Sequence, residues 1–523
     1  MAIQVITAAE AAALIRSDQT GCSQGMGGND VAEELLSALE DRFLRTGMPR
    51  NLSWMHSSGQ GDKGTRGLNH LAHEGLLSWI VGGHFNPAPR IQEMIASNKI
   101  TAYNLPQGVI SHMFRDIAAN RPTITKIGLE TFVDPRVEGG RLNEITRQEF
   151  SAPIVIEGEE YLHYYHLKKP DFAFLRGTYA DERGNISMEE EPCYLESLQA
   201  AQAVKNNGGK VFVQVKQLVP YGSLDMRKVH IPGTLVDYVV PVSDLKNHMM
   251  TFDEQFNPAY CGNCRMVTVS IKSDLRLDAK KIISRRAAME LIPDAVINLG
   301  IGVPEGVGVV ADEEGLRDRL TLSIESGPVG GIPVGGIGFG ASLNPDCILD
   351  QSTQFDTYDG GGLDLAYLGL AEADQWGNVN VSKFGPRIAG AGGFINITQS
   401  TKNVIFCGTM TAGGLKVAVR AGTLQIVEEG HTKKMVSKVQ QITFSGSFAA
   451  KSSQNVLYIT ERAVFRLENG EMTLIEIAPG VDLQRDVLDQ MGFVPRISPN
   501  LKAMDQRIFL ETTMGLSWDA MKP

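Results

Sequence analysis

Glu325 is the carboxylate whose surroundings in the sequence best suit chemistry on a ligand. It ends the short apolar run Thr321-Leu-Ser-Ile-Glu325, and seven of the fourteen residues from Gly327 to Gly340 are glycine. A lone acidic side chain at a strand end, facing backbone with almost no Cβ atoms, suits close approach by a ligand. In isolation the same residues also fit a surface turn with a solvated glutamate. Two more glycine-rich loops lie in the same half, Gly300-Ile-Gly-Val-Pro-Glu-Gly306 and Ala389-Gly-Ala-Gly-Gly-Phe394. Gathered at the ends of parallel strands, such loops would form a site at a topological switch point. The carboxylate could then do acid–base work or act as a nucleophile. A glycosidase or an aspartic dyad needs a second carboxylate, and Glu325 has no such companion, which tilts the reading towards the nucleophile.

Other motifs fail on their own chemistry. Gly300-Ile-Gly302 lacks the third glycine of a dinucleotide fingerprint, and Pro304 opens a helix there instead. Glycine amides at a helix N-terminus still favour a phosphate or carboxylate. Gly408-Thr-Met-Thr-Ala-Gly413 approaches a P-loop, but Gly414 stands where the lysine must be. Cys261-Gly-Asn-Cys264 has no second pair to complete a zinc or redox site, and His70-Leu-Ala-His73 and His163-Tyr-Tyr-His166 lack a third ligand. These read as ordinary residues, and no metal is expected.

The elements that must position Glu325 come from a duplication. Asp171-Phe-Ala-Phe-Leu-Arg-Gly-Thr-Tyr-Ala-Asp-Glu-Arg-Gly-Asn185 matches Asp364-Leu-Ala-Tyr-Leu-Gly-Leu-Ala-Glu-Ala-Asp-Gln-Trp-Gly-Asn378 at an offset of 364 − 171 = 193. The same offset carries Val211-Phe-Val-Gln to Val404-Ile-Phe-Cys, so the register holds over some forty residues. The shared Asp-x-x-Gly-Asn reads as a turn with Gly184 and Gly377 at positive φ. Thr20–Gly28 and Val296–Pro304 each run from a strand through glycines into a helix, the first helix carrying Val31, Leu35, Leu36, Leu39 and Phe43 on one face. A helix over 195–206 gives way at Gly208-Gly209 to a strand over 210–216. Strands alternating with helices predict an α/β fold: two related open domains with largely parallel sheets, in tandem within one chain. The domains are expected at 1–270 and 278–523. The join falls near Lys272 to Lys280, before a helix over Ile282–Leu291, and the first half carries an insertion within 50–165.

Composition narrows the partners. The chain has 523 residues, a net charge of −11, and no basic stripe, which disfavours nucleic acid and anionic membrane. Glu10 interrupts the apolar N-terminal stretch, and no run reaches the 18 or so apolar residues of a membrane span, so the expectation is a cytoplasmic protein without a signal peptide. Six cysteines are too few for a disulfide framework in a chain of this length.

Four motifs, in order, resemble those of the family I CoA-transferases. Ser323-Ile-Glu-Ser-Gly327 with Pro328 resembles the catalytic glutamate segment, and Asn298-Leu-Gly-Ile-Gly-Val-Pro304 the CoA-binding glycine loop. Asn104-Leu-Pro-Gln-Gly108 resembles the loop that supplies an oxyanion-hole glutamine, and Gly390-Ala-Gly-Gly-Phe-Ile-Asn396 the loop that supplies a glycine amide. The resemblance covers nearly the whole chain and is nearest to the single-chain bacterial propionate/acetate enzymes. It implies CoA transfer from a short-chain acyl-CoA to a free short-chain carboxylate, by ping-pong through a glutamyl-CoA thioester on Glu325. It implies Gln107 and Gly393 as oxyanion donors, and Gly300, Ile301, Gly302, Val303, Pro304, Ala389 and Gly392 against CoA. Some relatives carry Asn at the place of Ala389, which puts that contact in doubt. No cofactor is implied, since CoA is substrate and transient adduct; a homo-oligomer, dimer or tetramer, is implied. An ordinary glutamate carboxyl, with a pKa of about 4.3, is ionised at pH 7 and needs no general base. With Gln107 and Glu325 on different domains, closure of the cleft between them would be a condition of catalysis. An acyl-CoA hydrolase on the same scaffold, or a non-catalytic CoA sensor, are the competing readings; a sensor has no need of the carboxylate.

Overall fold

β-branched and aromatic stretches punctuated by glycine build two large sheets, one from each half of the sequence. The computed structural model describes residues 3–267 and 276–521. The first sheet orders its long path as Gln4–Val5, Tyr238–Pro241, Lys210–Val219, Phe172–Asp181, Thr20–Ser23, Leu52–His56, Leu77–Gly82 and Thr101–Asn104. Every neighbouring pair on that path is parallel. The second sheet runs Leu320–Leu322, Ala295–Leu299, Leu365–Gly369, Asn403–Cys407 and Asn455–Ile459 in parallel, then turns antiparallel through Ala463–Glu468 and Glu471–Ile477. The expected α/β class with largely parallel sheets is therefore observed.

The repeat is written into the strand register. Phe172 pairs with Lys210 and Ala173 with Val211; Leu365 pairs with Asn403 and Ala366 with Val404. Both pairings are related by 365 − 172 = 403 − 210 = 193. Gly21 faces Phe172 just as Ile297 faces Leu365. The two Asp-x-x-Gly-Asn turns repeat almost bond for bond: Gly184 and Gly377 donate to the Asp181 and Asp374 carbonyls, both at 2.9 Å, and stand at φ 79° and 75°. Asn185 and Asn378 donate to the carboxylates of the same aspartates at 2.8 and 3.1 Å. Within 50–165, Leu77–Gly82 and Thr101–Asn104 extend the first sheet beyond its repeat counterpart, and Thr123–Thr125, Ser151–Ile156 and Glu159–Tyr164 form a separate three-stranded sheet.

Helices follow the patterning with shifted ends. Glu33–Thr46 buries Leu35, Leu36, Leu39 and Phe43 and stops at Gly47, which takes φ 68°. The helix expected over Ile282–Leu291 spans Ala279–Ala288, because the Asp278 side chain caps it by accepting from the Lys281 N–H. The expected domain join falls in part outside the described residues.

The chain packs as two compact units, and they exchange segments. One comprises Met1–Met266, Ile324–Asp356 and Phe384–Asn396; the other comprises Val267–Ser323, Thr357–Lys383 and Ile397–Pro523. Among the described residues no helix is long and apolar enough to cross a membrane.

Candidate active site

Glu325 lies in a tight turn that the strand Leu320–Leu322 feeds through Ser323. The turn closes by Gly327 N–H donating to the Ile324 carbonyl at 3.1 Å and Ile324 N–H donating to the Pro328 carbonyl at 3.0 Å. Gly327 sits at φ +126°, and a Cβ there would fall 2.0 Å from the Leu349 carbonyl oxygen, so both space and backbone demand glycine. The Gly327 carbonyl in turn accepts from Leu349 N–H at 3.0 Å. The Ser326 hydroxyl donates to the Gly340 carbonyl, tying the turn to the end of its glycine loop. Glu325 is held here at 8% exposure.

Gln107 opens the helix Gln107–Ala118, and its backbone is sewn to the loop before the helix Phe394–Ser400. Gln107 N–H donates to the Gly392 carbonyl at 2.9 Å, and Gly392 N–H donates to the Gly83 carbonyl at 2.7 Å. Gly108 N–H donates to Asn396 Oδ1 at 3.1 Å, and a Cβ at Gly108 would meet Asn396 Nδ2 at 2.4 Å. Asn104 completes the seam: its Nδ2 donates to the carbonyls of Gly82 and Gly83, both at 2.7 Å, while its Oδ1 accepts from Ala391 N–H at 2.9 Å. Ala389 is buried, and its carbonyl accepts from Phe85 N–H at 2.8 Å. Gly393 N–H, unlike the N–H groups of Ala391, Gly392 and Phe394, has no hydrogen-bond acceptor among the described residues. It is an amide donor left available.

The side chain of Gln107 is buried and aimed. Its Nε2 donates to Gln351 Oε1 at 3.2 Å, and its Oε1 lies beside the Gly392 Cα, 3.7 Å from where a Cβ would stand. Gln351 stands two residues after Leu349, the residue that anchors the Glu325 turn. Glu325, Gln107, Ala389, Gly392 and Gly393 all belong to the unit built mainly from the first half. The expectation that Gln107 and Glu325 come from different domains is corrected accordingly. Ile324–Asp356 follows the strand Leu320–Leu322 in sequence but packs with the N-terminal half.

The Gly300–Pro304 loop belongs to the other unit. Gly300 N–H donates to the Tyr367 carbonyl at 2.8 Å, Ile301 is exposed, and Gly302 takes φ +93°. Pro304 leads into the helix Glu305–Glu313, leaving the first N–H groups of that helix beside an open loop.

Several residues here carried no assignment in the sequence. Asn104 and Asn396 lie inside quoted motifs, but only the fold shows what they clamp. His84, next to Gly392, is pushed down to about 4 by desolvation and the nearby charges of Arg387 and Lys63, so it is neutral at pH 7. Among the histidines read as ordinary, His70 lies between Glu33 and Glu40, and His166 meets the Thr123 hydroxyl at 2.9 Å. Among the described residues no group of three or more potential ligands is placed to hold a metal.

Known proteins share this sequence and fold. Residues 5–241 match the family model for coenzyme A transferase. Over 515 residues, 98% of this chain and 96% of the relative, the sequence is 46% identical to the acetate CoA-transferase YdiF of Escherichia coli K12. It is also 46% identical, over 98% of both chains, to a caffeate CoA-transferase of Acetobacterium woodii. The fold matches the crystal structure of the acyl-CoA transferase YdiF of E. coli O157:H7 in its thioester complex with CoA, with a TM-score of 0.93, 44% identity, and 99% and 98% of the two chains covered. The doubled parallel sheet, the buried glutamate turn and near-complete alignment to such enzymes lead to one conclusion: this chain belongs to the coenzyme A transferase family and is a CoA-transferase.

Proposed function

We propose that the enzyme moves CoA between short-chain carboxylic acids, from donors of the acetyl-CoA or propionyl-CoA type, with Glu325 as the nucleophile. The observation that carries this is the placement of a buried carboxylate in the same compact unit as a fixed glutamine amide and the available N–H of Gly393. Glu325 attacks the thioester carbonyl, giving a mixed anhydride and CoA thiolate. The thiolate attacks the glutamyl carbonyl, releasing the first acid and leaving an enzyme–CoA thioester. The acceptor acid reverses these steps. Each attack places negative charge on an oxygen, and Gln107 Nε2 and Gly393 N–H are the donors for it. One such donor contributes about 3–4 kcal/mol to the transition state.

A carboxylate is a weak nucleophile, so binding energy from the remote parts of CoA is used at the reacting carbon, and water is kept out. Residues Gly300 to Pro304 contact CoA, with Ala389 and Gly392 beside it. The halves 1–270 and 278–523 are the two related repeats of a homo-oligomeric, cytoplasmic enzyme that needs no cofactor. Relatives named as acetate and as caffeate transferases stand at the same identity, so the acid is a matter for assay. Incubation with acetyl-CoA and either propionate or a bulky aromatic acid is expected to yield propionyl-CoA, with little aromatic thioester and little free thiol. Free thiol without new acyl-CoA would make the protein a hydrolase instead. Preferred transfer to the aromatic acid would overturn the short-chain reading.

A further inference from the structure

Behind Gln107 lies a closed polar network that the reaction as written does not use. Gln351 makes four hydrogen bonds: its Nε2 donates to Ser57 Oγ at 2.8 Å and to Glu196 Oε2 at 3.0 Å, while its Oε1 accepts from Ser58 Oγ at 3.0 Å and from Gln107 Nε2 at 3.2 Å. The Ser57 hydroxyl also bonds the Glu196 carboxyl. Glu196, at 1% exposure, precedes the helix Ser197–Asn206.

We propose that Glu196, through Gln351, is the positioning residue that fixes which end of the Gln107 amide faces the reacting carbonyl. This rests on the reading of Gln107 as an oxyanion donor. The two ends of a glutamine amide are nearly the same shape, so packing alone orients it poorly, and the hydrogen-bond network must decide. An ionised carboxylate only accepts. It therefore draws the Gln351 NH2 group towards itself and turns the Gln351 carbonyl towards Gln107. That carbonyl can pair only with the Gln107 NH2 group. One of the two Gln107 N–H bonds is thus anchored, and the other remains for the developing oxyanion. A reversed amide would present its oxygen to that charge and repel it.

The duplication shows where this network stands in the repeat. At the repeat offset of 193, Glu196 falls at the place of Ala389 (389 − 193 = 196). Trp54 and Leu322 occupy the same register, facing Gly21 and Ile297, so Ser57 falls three residues on, at the place of Glu325. The first sheet thus holds a counterpart of the catalytic corner, closed over and turned into support for Gln107. Burial pushes the Glu196 carboxyl up to about 7, so the accept-only carboxylate prevails above that pH and the kinetics are read at pH 8. Cys22, buried on the neighbouring strand, is the titratable group that feels its charge. A buried carboxylate without a cation is costly, and such groups are kept where they act on function.

The test is a double-mutant cycle on the full-length enzyme, reading kcat and KM for transfer from acetyl-CoA to propionate. Glu196→Gln keeps the shape but supplies a donor, and is expected to lower kcat about 5- to 10-fold with KM for acetyl-CoA within 2-fold. Its melting temperature at pH 8 should equal or exceed that of the parent, which separates the loss of rate from damage to the fold. Glu196→Leu should lower kcat further. Gln107→Ala is expected to lower kcat by roughly 100-fold, and adding Glu196→Gln to it should cost less than 2-fold more. A Glu196→Gln enzyme with wild-type kcat overturns the proposal, as does one slowed equally with and without Gln107. If Gln107→Ala itself leaves kcat unchanged, the oxyanion reading of Gln107 falls, and this inference with it.

Discussion

Two halves of one chain share a strand register and a turn, yet they use the same corner for opposite ends. In the second half the residue beyond the edge strand is Glu325, set in a turn whose glycines leave it approachable. In the first half the equivalent residue is Ser57, which bonds to Gln351 and Glu196. Duplication therefore supplies a scaffold whose copies are free to diverge once one carries the reaction. On the proposed reading the second copy carries the nucleophile Glu325, and the first, enlarged by its insertion, contributes Gln107 and the network that holds it. Because Ile324–Asp356 packs with the first half, the division of labour is realised within one compact unit.

The largest effect that sharpens this contrast is expected at the catalytic corner. Glu325→Asp draws the carboxylate back by one methylene, about 1.5 Å, which exceeds the tolerance of near-attack geometry; transfer should fall by two orders of magnitude or more. The gap admits water, so residual activity should shift to hydrolysis, with free CoA forming even without an acceptor acid. Measuring free thiol and new acyl-CoA together checks this. Equal loss of both would show that water exclusion does not depend on how Glu325 fills the site.

A middle-sized effect separates the two buried glutamates by sign. Burial raises Glu196 from the usual 4.5 to about 7, so the folded state holds a proton that the unfolded chain releases. Its contribution to stability is full below about pH 4.5 and is lost as pH rises towards 7, on the order of 3 kcal/mol. For Glu476, burial is outweighed by its bonds to Arg286 at 2.7 and 3.0 Å, and its pKa is lowered. Its contribution is present above about pH 4.5 and is lost as pH falls. Denaturant titrations at pH 5 and pH 8 should therefore show Glu196→Gln gaining on the parent at the higher pH. Glu476→Gln has its window at lower pH, and titrations at pH 3 and pH 6 should show it losing ground to the parent as pH rises. The same sign for both would break the distinction.

The smallest effect tests the repeated turn. Gly184 and Gly377 both stand at positive φ, where a side chain costs roughly 1–2 kcal/mol. A Cβ at Gly184 meets the flexible Ile3 side chain at 2.9 Å, whereas one at Gly377 meets Leu467 and the buried Tyr458 hydroxyl, each at 2.6 Å. Gly377→Ala is expected to lower the melting temperature more than Gly184→Ala, by thermal unfolding of each variant. The reverse order would mean that these contacts do not set the cost of a side chain at the two turns.

Much of the architecture was legible because the repeat repeats its residues. Asp171–Asn185 and Asp364–Asn378 announce two like sheets, and their Asp-x-x-Gly-Asn glycines announce positive φ. The residues singled out around the site came from motif chemistry and resemblance together. Its support was not: Glu196, Gln351 and Ser57 are 139 to 294 residues apart in pairs, and nothing local in a serine or glutamine announces a partner so distant. Nor could the exchange of Ile324–Asp356 be read, since a segment's sequence position does not say which core it buries against.

The most direct measurement is on the Glu325 side chain itself. Acyl-CoA is added without acceptor acid, the enzyme is treated with borohydride, and the peptide containing Glu325 is analysed by mass spectrometry. Reduction of a Glu325 thioester should convert that carboxyl to an alcohol and abolish transfer in proportion to the modified fraction. Unmodified Glu325 in a fully active enzyme after that treatment would contradict catalysis through a glutamyl thioester at this residue.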